Sequence, residues 1–461
     1  MTRPLVMKFG GTSVAGAAAM ASVVRIVANA AARSGPVLVV VSAMSGVTDG
    51  LLAACREARD SGIEQVDRHV AELEARHQAV ATELFEGEAV ARAISASIAA
   101  TFDELRGVLT SVAILQELTP RGADRVTAAG ELLSSRIVAA LLVHSGVPAR
   151  WIDARRAVVT DGAFGAAIAD LAATSIAASR EIAPAWAARE VAVAGGFVGA
   201  TVEGITTTLG RGGSDVSAAV LGAALDAAEI QIWTDVDGML TADPRVIPEA
   251  QPVSRLSFDE AAELAYFGAK VLHPSTILPA IERNIPVRIL NTMRPAHPGS
   301  LITAESGGEA RPLTAIACKR NVTVVNITST RMLHAHGFLR KVFEVFERHG
   351  TSVDVVTTSE VSVSMTLDDD RGIEGIERDL AGFGSVQVER GMAIVSAVGD
   401  NLRTDPSSAV SVIAALGRLP LRMVSQAASR RNVTVVLNDA DVPAAIERLH
   451  AAFFSVPAVS R

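Results

Sequence analysis

From the N-terminus to about Thr303, short runs of β-branched and apolar residues alternate with longer stretches whose apolar residues recur at helical spacing. A strand that is apolar on both faces must be covered on both faces, and parallel strands need a crossover connection that a helix supplies. The alternation predicts an α/β fold with a mostly parallel sheet sandwiched by helices. The predicted strands are 5–9, 37–43, 150–153, 191–197, 229–234 and 287–290.

Residues 47–145, between the second and third predicted strands, show almost no strand signal. Apolar residues recur at helical spacing at 66–73 and again at 94–115. We interpret this block as several helices whose charged residues lie on solvated faces.

The last third of the chain contains a near-repeat that follows a small, polar and charged linker at 304–312. The first copy, at 321–389, has the order βαββαβ of a ferredoxin-like module. The second copy, at 390–461, has the order βαββα and lacks a final strand, while a spare strand at 313–320 precedes the first copy. We predict that the spare strand completes the second sheet, so that the second module is discontinuous in sequence.

Composition excludes several classes of protein. The 461 residues carry 42 Lys and Arg against 50 Asp and Glu, a net charge of −8, and aromatic residues make up 4%. These values argue against nucleic-acid binding through a basic field or aromatic stacking, but they allow a local cationic pocket for an anionic substrate. Cys55 and Cys318 are too few for a disulfide framework and are expected in a core, in a reducing compartment. Without an apolar leader or a run of ~18 apolar residues, we expect a cytoplasmic protein that binds no membrane.

The first chemical signal is Lys-Phe-Gly-Gly-Thr-Ser at 8–13, where a predicted strand leads into a helix. Two consecutive glycines let backbone N–H groups approach a phosphate at the positive end of that helix, with Lys8 as a mobile cation beside them. The Walker spacing is absent. A tight turn with a surface lysine is the alternative interpretation.

A stronger signal is Thr-Thr-Thr-Leu-Gly-Arg-Gly-Gly-Ser-Asp at 206–215, which opens a predicted helix at 216–225. It offers a second set of N–H donors to an anion, and Arg211 can hold a carboxylate or phosphate through a two-pronged contact. Asp215 would bring negative charge next to phosphates. It is therefore expected to orient Lys8 or a metal, or else only to cap the helix.

Two further segments are weaker signals. Trp-Thr-Asp-Val-Asp-Gly at 233–238 ends a strand, where ligands collect in open α/β sheets, although an ordinary turn has the same composition. Phe-Gly-Ala-Lys-Val-Leu-His-Pro at 267–274 places Lys270 between a glycine and a proline, and a solvated lysine is the alternative.

Together these four motifs resemble those of the aspartokinases, which have the amino acid kinase fold. Gly-Phe-Leu at 337–339 and Val-Asp-Val-Val-Thr-Thr-Ser-Glu-Val at 353–361 resemble that family's paired ACT domains. The resemblance covers essentially the whole chain and implies a catalytic domain at 1–303, a first ACT domain at 321–389 and a second at 313–320 plus 390–461. The helical block is similar to the lysine-sensitive, single-function bacterial type, and no residues remain for a fused homoserine dehydrogenase.

The resemblance also implies residue roles. Lys8 and Asp215 would be catalytic. The residues implied for ATP are Lys8, Gly10, Gly11, Thr234, Asp235, Leu240, Arg245 and Lys270, and those for aspartate are Ser42, Thr48, Glu131, Arg211 and Ser214. Glu131 suits the α-ammonium and Arg211 the α-carboxylate, which leaves the side-chain carboxylate free to react. Leu240 departs from the family, which often has a tyrosine there.

An amino-acid effector, by the same resemblance, would bind to the first ACT domain of a homodimer or a dimer of dimers. The implied residues are Met332, Ala335, Gly337, Phe338, Leu339, Ser352, Val353, Asp354, Thr358, Ser359 and Glu360. Asp354 and Glu360 supply negative charge, which suits the cation of lysine better than the hydroxyl of threonine. Ala335 stands where the family often has a serine.

The implied reaction joins ATP and L-aspartate to give ADP and 4-phospho-L-aspartate, the first step in making lysine, threonine and methionine. Mg²⁺ would accompany ATP, held mainly by phosphates and water, and no protein ligand for it is predicted. Two alternatives stay open: a sister enzyme that phosphorylates another acid or nucleotide, and a non-catalytic amino-acid sensor.

Overall fold

The computed structural model describes residues 2–61, 63–85, 89–267, 272, 274–305, 312–333, 336–400, 402, 406–426 and 430–454. The chain forms two compact units. The first comprises Met1–Met239 and His273–Ala304, and the second comprises Leu240–Leu272 and Glu305–Arg461. The segment Leu240–Leu272 therefore groups with the C-terminal region, although the sequence division at 303 places it before the linker.

The first unit is built on a mostly parallel sheet, as predicted. The strands up to residue 303 are β1 (Leu5–Phe9), β2 (Val37–Val41), β3 (Ala149–Ile152), β4 (Val191–Gly195), β5 (Val198–Ala200), β6 (Thr206–Thr208), β7 (Glu229–Thr234), β8 (Arg255–Ser257), β9 (Val287–Asn291) and β10 (Ser300–Thr303). Those of the first unit's main sheet lie in the order β3-β4-β2-β1-β7-β9-β10. Neighbours are parallel except β9 and β10, and β5 and β6 form a separate antiparallel hairpin.

Helices surround this sheet and fill the predicted helical block. The helices of the first unit are α1 (Ala17–Arg33), α2 (Val47–Ser61), α3 (Ile63–Leu84), α4 (Ala89–Leu115), α5 (Pro120–Thr127), α6 (Ala129–His144), α7 (Ala154–Ala157), α8 (Leu171–Ala187), α9 (Gly213–Ala224) and α11 (Leu278–Glu282), while α10 (Phe258–Tyr266) belongs to the second unit. Every residue of β2 is buried, which agrees with a strand covered on both faces. One main hydrophobic cluster joins the sheet to α1, α6 and the α2–α4 block.

The stretch Pro120–His144 is long and apolar enough to cross a membrane by length and composition alone, but 83% of its most apolar window is buried inside the protein. It contains α5 and α6. Such burial is what a core helix of a folded domain shows, so the stretch is no argument for a membrane span.

The second unit contains one antiparallel sheet in the order β12-β13-β11-β14-β16-β15. Its strands are β11 (Ala315–Thr328), β12 (Val356–Thr358), β13 (Ser362–Leu367), β14 (Ser385–Val398), β15 (Leu421–Ser425) and β16 (Asn432–Asn438). Its helices after the linker are α12 (Phe338–Arg348), α13 (Ile373–Leu380), α14 (Pro406–Leu416) and α15 (Val442–Phe454). Two separate hydrophobic clusters divide this sheet into two βαββαβ-like modules.

Both modules share their two central strands. The C-terminal half of β11 pairs with β13 and with Ser385–Glu389, whereas Ala315–Lys319 pairs with Ile394–Val398. The register shifts between Lys319 and Val324, next to Asn321, whose φ is +59°. The pairing of the first five residues of β11 is the one expected if the spare strand belongs to the second sheet.

Candidate functional site

A cavity of about 700 Å³ opens in the first unit at the carboxyl ends of the parallel strands β1, β2 and β4. This edge is where open α/β sheets bind ligands, and the volume suits a small-molecule site. Its wall contains both implied catalytic residues, all five implied aspartate-binding residues and one of the two glycines after β1: Lys8, Asp215, Ser42, Thr48, Glu131, Arg211, Ser214 and Gly11.

The turn after β1 is tightly packed against its neighbours. Gly10 N donates to Trp233 O at 3.1 Å, and a Cβ on Gly10 would lie 3.5 Å from Lys8 Nζ. A Cβ on Gly11 would lie 3.1 Å from Ala43 O. The two glycines therefore leave room for the lysine ammonium to fold back over the turn and for the turn to approach the end of β2.

An ion pair joins the two glycine-rich segments. Lys8 Nζ lies 2.7 Å from Asp215 Oδ1, and both side chains are mostly buried, at 11% and 18% exposed. Asp215 lies in the first turn of α9, so its carboxylate also faces the positive end of that helix. The pair fixes the ammonium at the cavity wall, which is one of the roles that the sequence left open for Asp215.

Glu131 is the most strongly perturbed acid in the cavity wall. It lies in the first turn of α6 and is 3% exposed. Burial raises the pKa of Glu131 to about 8, although a hydrogen bond from the Ala43 backbone opposes this. Its Oε2 has no hydrogen-bond partner among the described residues. A buried carboxylate with an open acceptor is suited to receive a cationic group of a ligand.

Small residues allow α6 and α9 to come close to the strands. A Cβ on Gly130 would lie 2.8 Å from Ala43 Cβ, and a Cβ on Gly196 would lie 2.7 Å from Ser214 Cβ. Ser214 is accordingly buried, and Ser42 is tied to the first unit by its N–H, which donates to Phe9 O at 3.0 Å. Close packing of these elements brings the implied aspartate residues into one wall.

Arg211 is exposed, and no ion pair or hydrogen bond of its side chain is found within the described ranges. It sits between Gly210 and Gly212, with φ of +71° and +70°, in the turn that starts α9. Gly212 is the residue before α9, and the N–H groups of Gly213 and Asp215 donate to Gly210 O and Gly212 O. No partner is found within the described residues for the N–H of Ser214, which can therefore face an anion.

The residues implied for the nucleotide are divided between the two units. Thr234 ends β7 in the first unit and Asp235 follows it, and Thr234 Oγ1 donates to Asp235 Oδ1 at 3.1 Å. Leu240 and Arg245 belong to the second unit, and Arg245 is bonded to Asp243 through Nη2 and Oδ2 at 2.6 Å. Lys270 lies outside the described residues.

No group of three or more His, Cys, Asp or Glu side chains that could hold a metal ion occurs in the described part of the chain. A Mg²⁺ ion bound mainly to phosphate oxygens and water needs no such group of side chains.

The residues of the cavity wall that the sequence analysis did not assign to the site include Asp124, Phe197 and Thr208. Phe197 follows β4 with φ of +62°, where the predicted strand ran on through it. The signal that could have ended that strand is the pair of glycines at 195–196. Thr208 belonged to a quoted motif, but Asp124 lies 84 residues away and nothing in the sequence connects the two.

The implied effector residues lie in the first module of the second unit. Met332, Phe338 and Val353 pack in one hydrophobic cluster, and Gly337, with φ of +76°, caps α12 without a side-chain hydrogen bond. Ala335 lies outside the described residues. The rest are Leu339, Ser352, Thr358, Ser359 and Glu360, and all five are exposed.

Asp354 is engaged within the protein. Its side chain is only 6% exposed, and its carboxylate lies 3.0 Å from Lys319 Nζ and accepts a hydrogen bond from Tyr266 Oη at 2.7 Å. Lys319 also pairs with Asp368. Burial acts to raise the pKa of Asp354, but its hydrogen bonds with Asp368, Tyr266 and Lys319 outweigh burial and hold that pKa below its usual range. The ammonium of Lys319 is thus already paired with the carboxylate that the resemblance implies for the effector.

Comparison with known proteins identifies the family. The amino acid kinase family model matches residues 3–291, and an ACT domain model matches residues 395–453. Aspartokinase 3, chloroplastic, of Arabidopsis thaliana is 41% identical over 97% of this chain and 81% of its own length.

Two solved structures extend the match to the whole architecture. Escherichia coli aspartokinase III in complex with lysine and aspartate (T-state) has a TM-score of 0.83 at 33% identity and covers 98% of this chain and 99% of its own. The same enzyme in complex with aspartate and ADP (R-state) has a TM-score of 0.81 at 34% identity, with coverage of 98% and 100%. From these matches, the chain has aspartate kinase activity under ACT-domain allosteric control. This activity excludes the sister enzyme and the non-catalytic sensor as alternatives. The predicted fold class is confirmed, and the chain belongs to the aspartokinase family.

Proposed function

We propose that Lys8 and Asp215 are the catalytic residues of this aspartate kinase and that the cavity at the ends of β1, β2 and β4 holds the reacting groups. The observation that carries this proposal is the buried Lys8–Asp215 ion pair in the same wall as Glu131 and Arg211. A cation fixed beside a pair of amino-acid-binding charges is what transfer of a phosphoryl group to an amino acid requires.

The chemistry needs no general base. The side-chain carboxylate of aspartate is ionised at neutral pH, since an ordinary carboxyl pKa is about 4. Its oxygen attacks the γ-phosphorus of ATP, an O–P bond forms, and the bond from that phosphorus to the β,γ-bridging oxygen breaks to release ADP. Lys8 stabilises the charge on the transferring group, and Asp215 holds the Lys8 ammonium at the position where that charge develops.

Recognition of aspartate is assigned to two charged residues of the cavity wall. Glu131 takes the α-ammonium with its open oxygen, and Arg211 takes the α-carboxylate. Ser42, Thr48 and Ser214 complete the contacts as hydroxyl donors or acceptors. Both E. coli structures contain aspartate and one of them also contains ADP, which supports a site for aspartate and a nucleotide.

For ATP we propose Lys8, Gly10, Gly11, Thr234, Asp235, Leu240, Arg245 and Lys270 as the binding residues. Mg²⁺ would be held by the phosphates and water and would neutralise phosphate charge when bound. Lys8 and the N–H groups of the two glycine-rich turns orient the phosphates for in-line transfer.

The experiment traps the product, since hydroxylamine converts 4-phospho-L-aspartate to a hydroxamate that can be measured. Asp215→Asn is expected to lower kcat at least ~10-fold, because the Lys8 ammonium loses the charge that fixes it. Asp60→Asn is a matched control, because it also breaks an ion pair, with Arg59, but on the surface. A normal kcat in Asp215→Asn would exclude a catalytic role for the pair.

We further propose L-lysine as the effector, and a single-function lysine-sensitive enzyme with the domain division at 1–303, 321–389 and 313–320 plus 390–461. Support comes from the lysine-bound T-state structure of the E. coli enzyme and from the exposed carboxylate of Glu360. Titration with lysine and with threonine at sub-saturating aspartate tests this. Inhibition by threonine alone would contradict it.

A homodimer or dimer of dimers through the ACT domains is proposed as the assembly. The first module exposes Leu339, Phe343, Val356 and Val361, each between 38% and 39%. A contiguous exposed apolar patch would mark an interface, and we propose that these side chains contribute to one. Light scattering on the purified chain tests the assembly. The cytoplasm is our prediction for the compartment, whereas the Arabidopsis relative is named chloroplastic.

A further inference from the structure

Asp124 is a buried carboxylate of the cavity wall that the proposed chemistry does not use. It lies on α5 and is 2% exposed. Its Oδ1 accepts from Thr208 Oγ1 at 2.7 Å, and its Oδ2 accepts from the backbone N–H groups of Thr208 and Gly165, both at 3.0 Å. Its partners are all uncharged, so the carboxylate acts as a hub for three hydrogen bonds rather than as one half of an ion pair.

These bonds join three segments that are distant in sequence. Thr208 ends β6, and the chain continues through Gly210 to Arg211. Gly210 packs on the turn that Gly165 belongs to, since a Cβ on Gly210 would lie 3.2 Å from Gly165 O. The base of the Arg211 turn is therefore attached to α5 by Asp124.

The same helix leads to Glu131. Ala128 is the single residue between α5 and α6, so Asp124 and Glu131 lie on one nearly continuous helical stretch. Arg211, by contrast, is exposed and has no side-chain partner in the described part of the chain that would place it. Its position depends on the anchorage of its turn.

We propose that Asp124 is a positioning residue that sets the separation between Arg211 and Glu131, and with it the preference for a substrate that carries both an α-carboxylate and an α-ammonium. The inference rests on the proposed assignment of these two residues to aspartate. Asp124 itself does not touch the substrate in this scheme. It acts on Arg211 through Thr208.

The test compares L-aspartate with two competitive inhibitors, since β-alanine lacks the α-carboxylate and succinate lacks the α-ammonium. Asp124→Asn keeps the shape of the side chain but removes the charge and one acceptor. It is expected to lower kcat/KM for aspartate about 10- to 100-fold, the scale of a misplaced binding group. The inhibition constant of β-alanine and the KM for ATP should stay within about twofold of wild type, because neither depends on Arg211.

Asp161→Asn is the matched control. Asp161 also accepts two backbone N–H groups, from Ala163 and Ile168 in the same turn, but it is exposed and is not part of the cavity wall. It should leave the aspartate to β-alanine ratio unchanged, where this ratio is kcat/KM for aspartate divided by the reciprocal of the inhibition constant of β-alanine. Thr208→Val removes only the hydroxyl bond and should show the Asp124→Asn pattern at smaller size, which keeps the test valid if Asp124→Asn does not fold.

Combining these substitutions with Arg211→Ala distinguishes an error in the assignment of Arg211 from an error in the role of Asp124. If Arg211→Ala alone leaves the aspartate to β-alanine ratio unchanged, the proposed assignment of Arg211 is wrong. If Arg211→Ala lowers that ratio and adding Asp124→Asn lowers it no further, Asp124 acts through Arg211 as inferred. Full additivity, or an equal loss for β-alanine and ATP, would overturn the inference and leave Asp124 a purely structural residue.

Discussion

Replacing Glu131 by Gln tests the electrostatics of the aspartate site. Burial separates the pKa of this carboxyl, at about 8, from its ordinary value of 4.5. That separation corresponds to about 5 kcal/mol against the ionised form in the ligand-free protein. At pH 7 only about one molecule in ten therefore carries the charge that the α-ammonium needs.

Two pH profiles measure this effect in the wild type. Log kcat/KM for aspartate at saturating ATP should rise with a slope of about +1 from pH 6 to 7.5 and level off above about pH 8, because this parameter reports the ionisation of the free enzyme. The kcat profile should be flat over the same range, since bound aspartate holds Glu131 ionised. In Glu131→Gln the slope should disappear and the KM for aspartate at pH 8.5 should rise ~10- to 150-fold, the loss of a charge-assisted hydrogen bond.

The same substitution should stabilise the ligand-free protein. The folded pKa of Glu131 is raised, so its contribution to stability is fully present below pH 4.5 and is lost as the pH rises through about 8. Gln does not titrate. The Tm of Glu131→Gln should therefore exceed that of wild type by a margin that grows from pH 5 to 8. A flat wild-type profile, a slope that survives in Glu131→Gln, or a Tm difference independent of pH would each contradict a raised pKa of Glu131 in the free enzyme.

Three further outcomes are expected. Lys8→Ala should lower kcat at least ~10²-fold, because a preorganised cation is lost from the transition state; an increase confined to the KM for ATP would make Lys8 a binding residue only. Arg211→Ala should raise the KM for aspartate ~10-fold or more and leave the KM for ATP nearly unchanged, and equal losses for both substrates would contradict the assignment. Lys319→Met should lower the lysine concentration for half-inhibition, because the ammonium that holds Asp354 is removed. Arg320→Met is the control on the same strand. If lysine inhibition is unchanged in Lys319→Met and persists in Asp354→Ala, the Asp354 carboxylate is excluded as the effector site.

The sequence could predict those parts of the fold in which a pattern extends over several residues. Strands such as β2, apolar at all five positions, are recognisable because burial on both faces leaves no polar position. The hairpin of β5 and β6 escaped prediction, since three-residue strands are too short for any periodicity. β11 was expected as two strands. It is one strand, because the irregularity at Asn321 is a bulge with positive φ and not a strand end.

The site was predictable where the chemistry is local and carried by a motif. Lys8 and Asp215 each belong to a glycine-rich turn, and the structure places their charges 2.7 Å apart. The bonds that place these motifs were not predictable. Asp124 meets Thr208 across 84 residues, and Tyr266 meets Asp354 across 88. Such pairs depend on how elements pack in three dimensions, and a single sequence contains no trace of that packing.

The two halves of the shared strand β11 meet their partner strands at different times during synthesis. Ala315 pairs with Val398, so the first half of the strand has to wait for about 80 further residues, roughly 4 to 16 seconds of translation. The second half finds β13 much earlier. The second half can therefore pair with β13 on the ribosome while the first half, starting at Ala315, stays unpaired and exposed as a template for wrong pairing. Ribosome stalling between β13 and the end of β14 would lengthen this exposure, whereas stalling after Val398 would not.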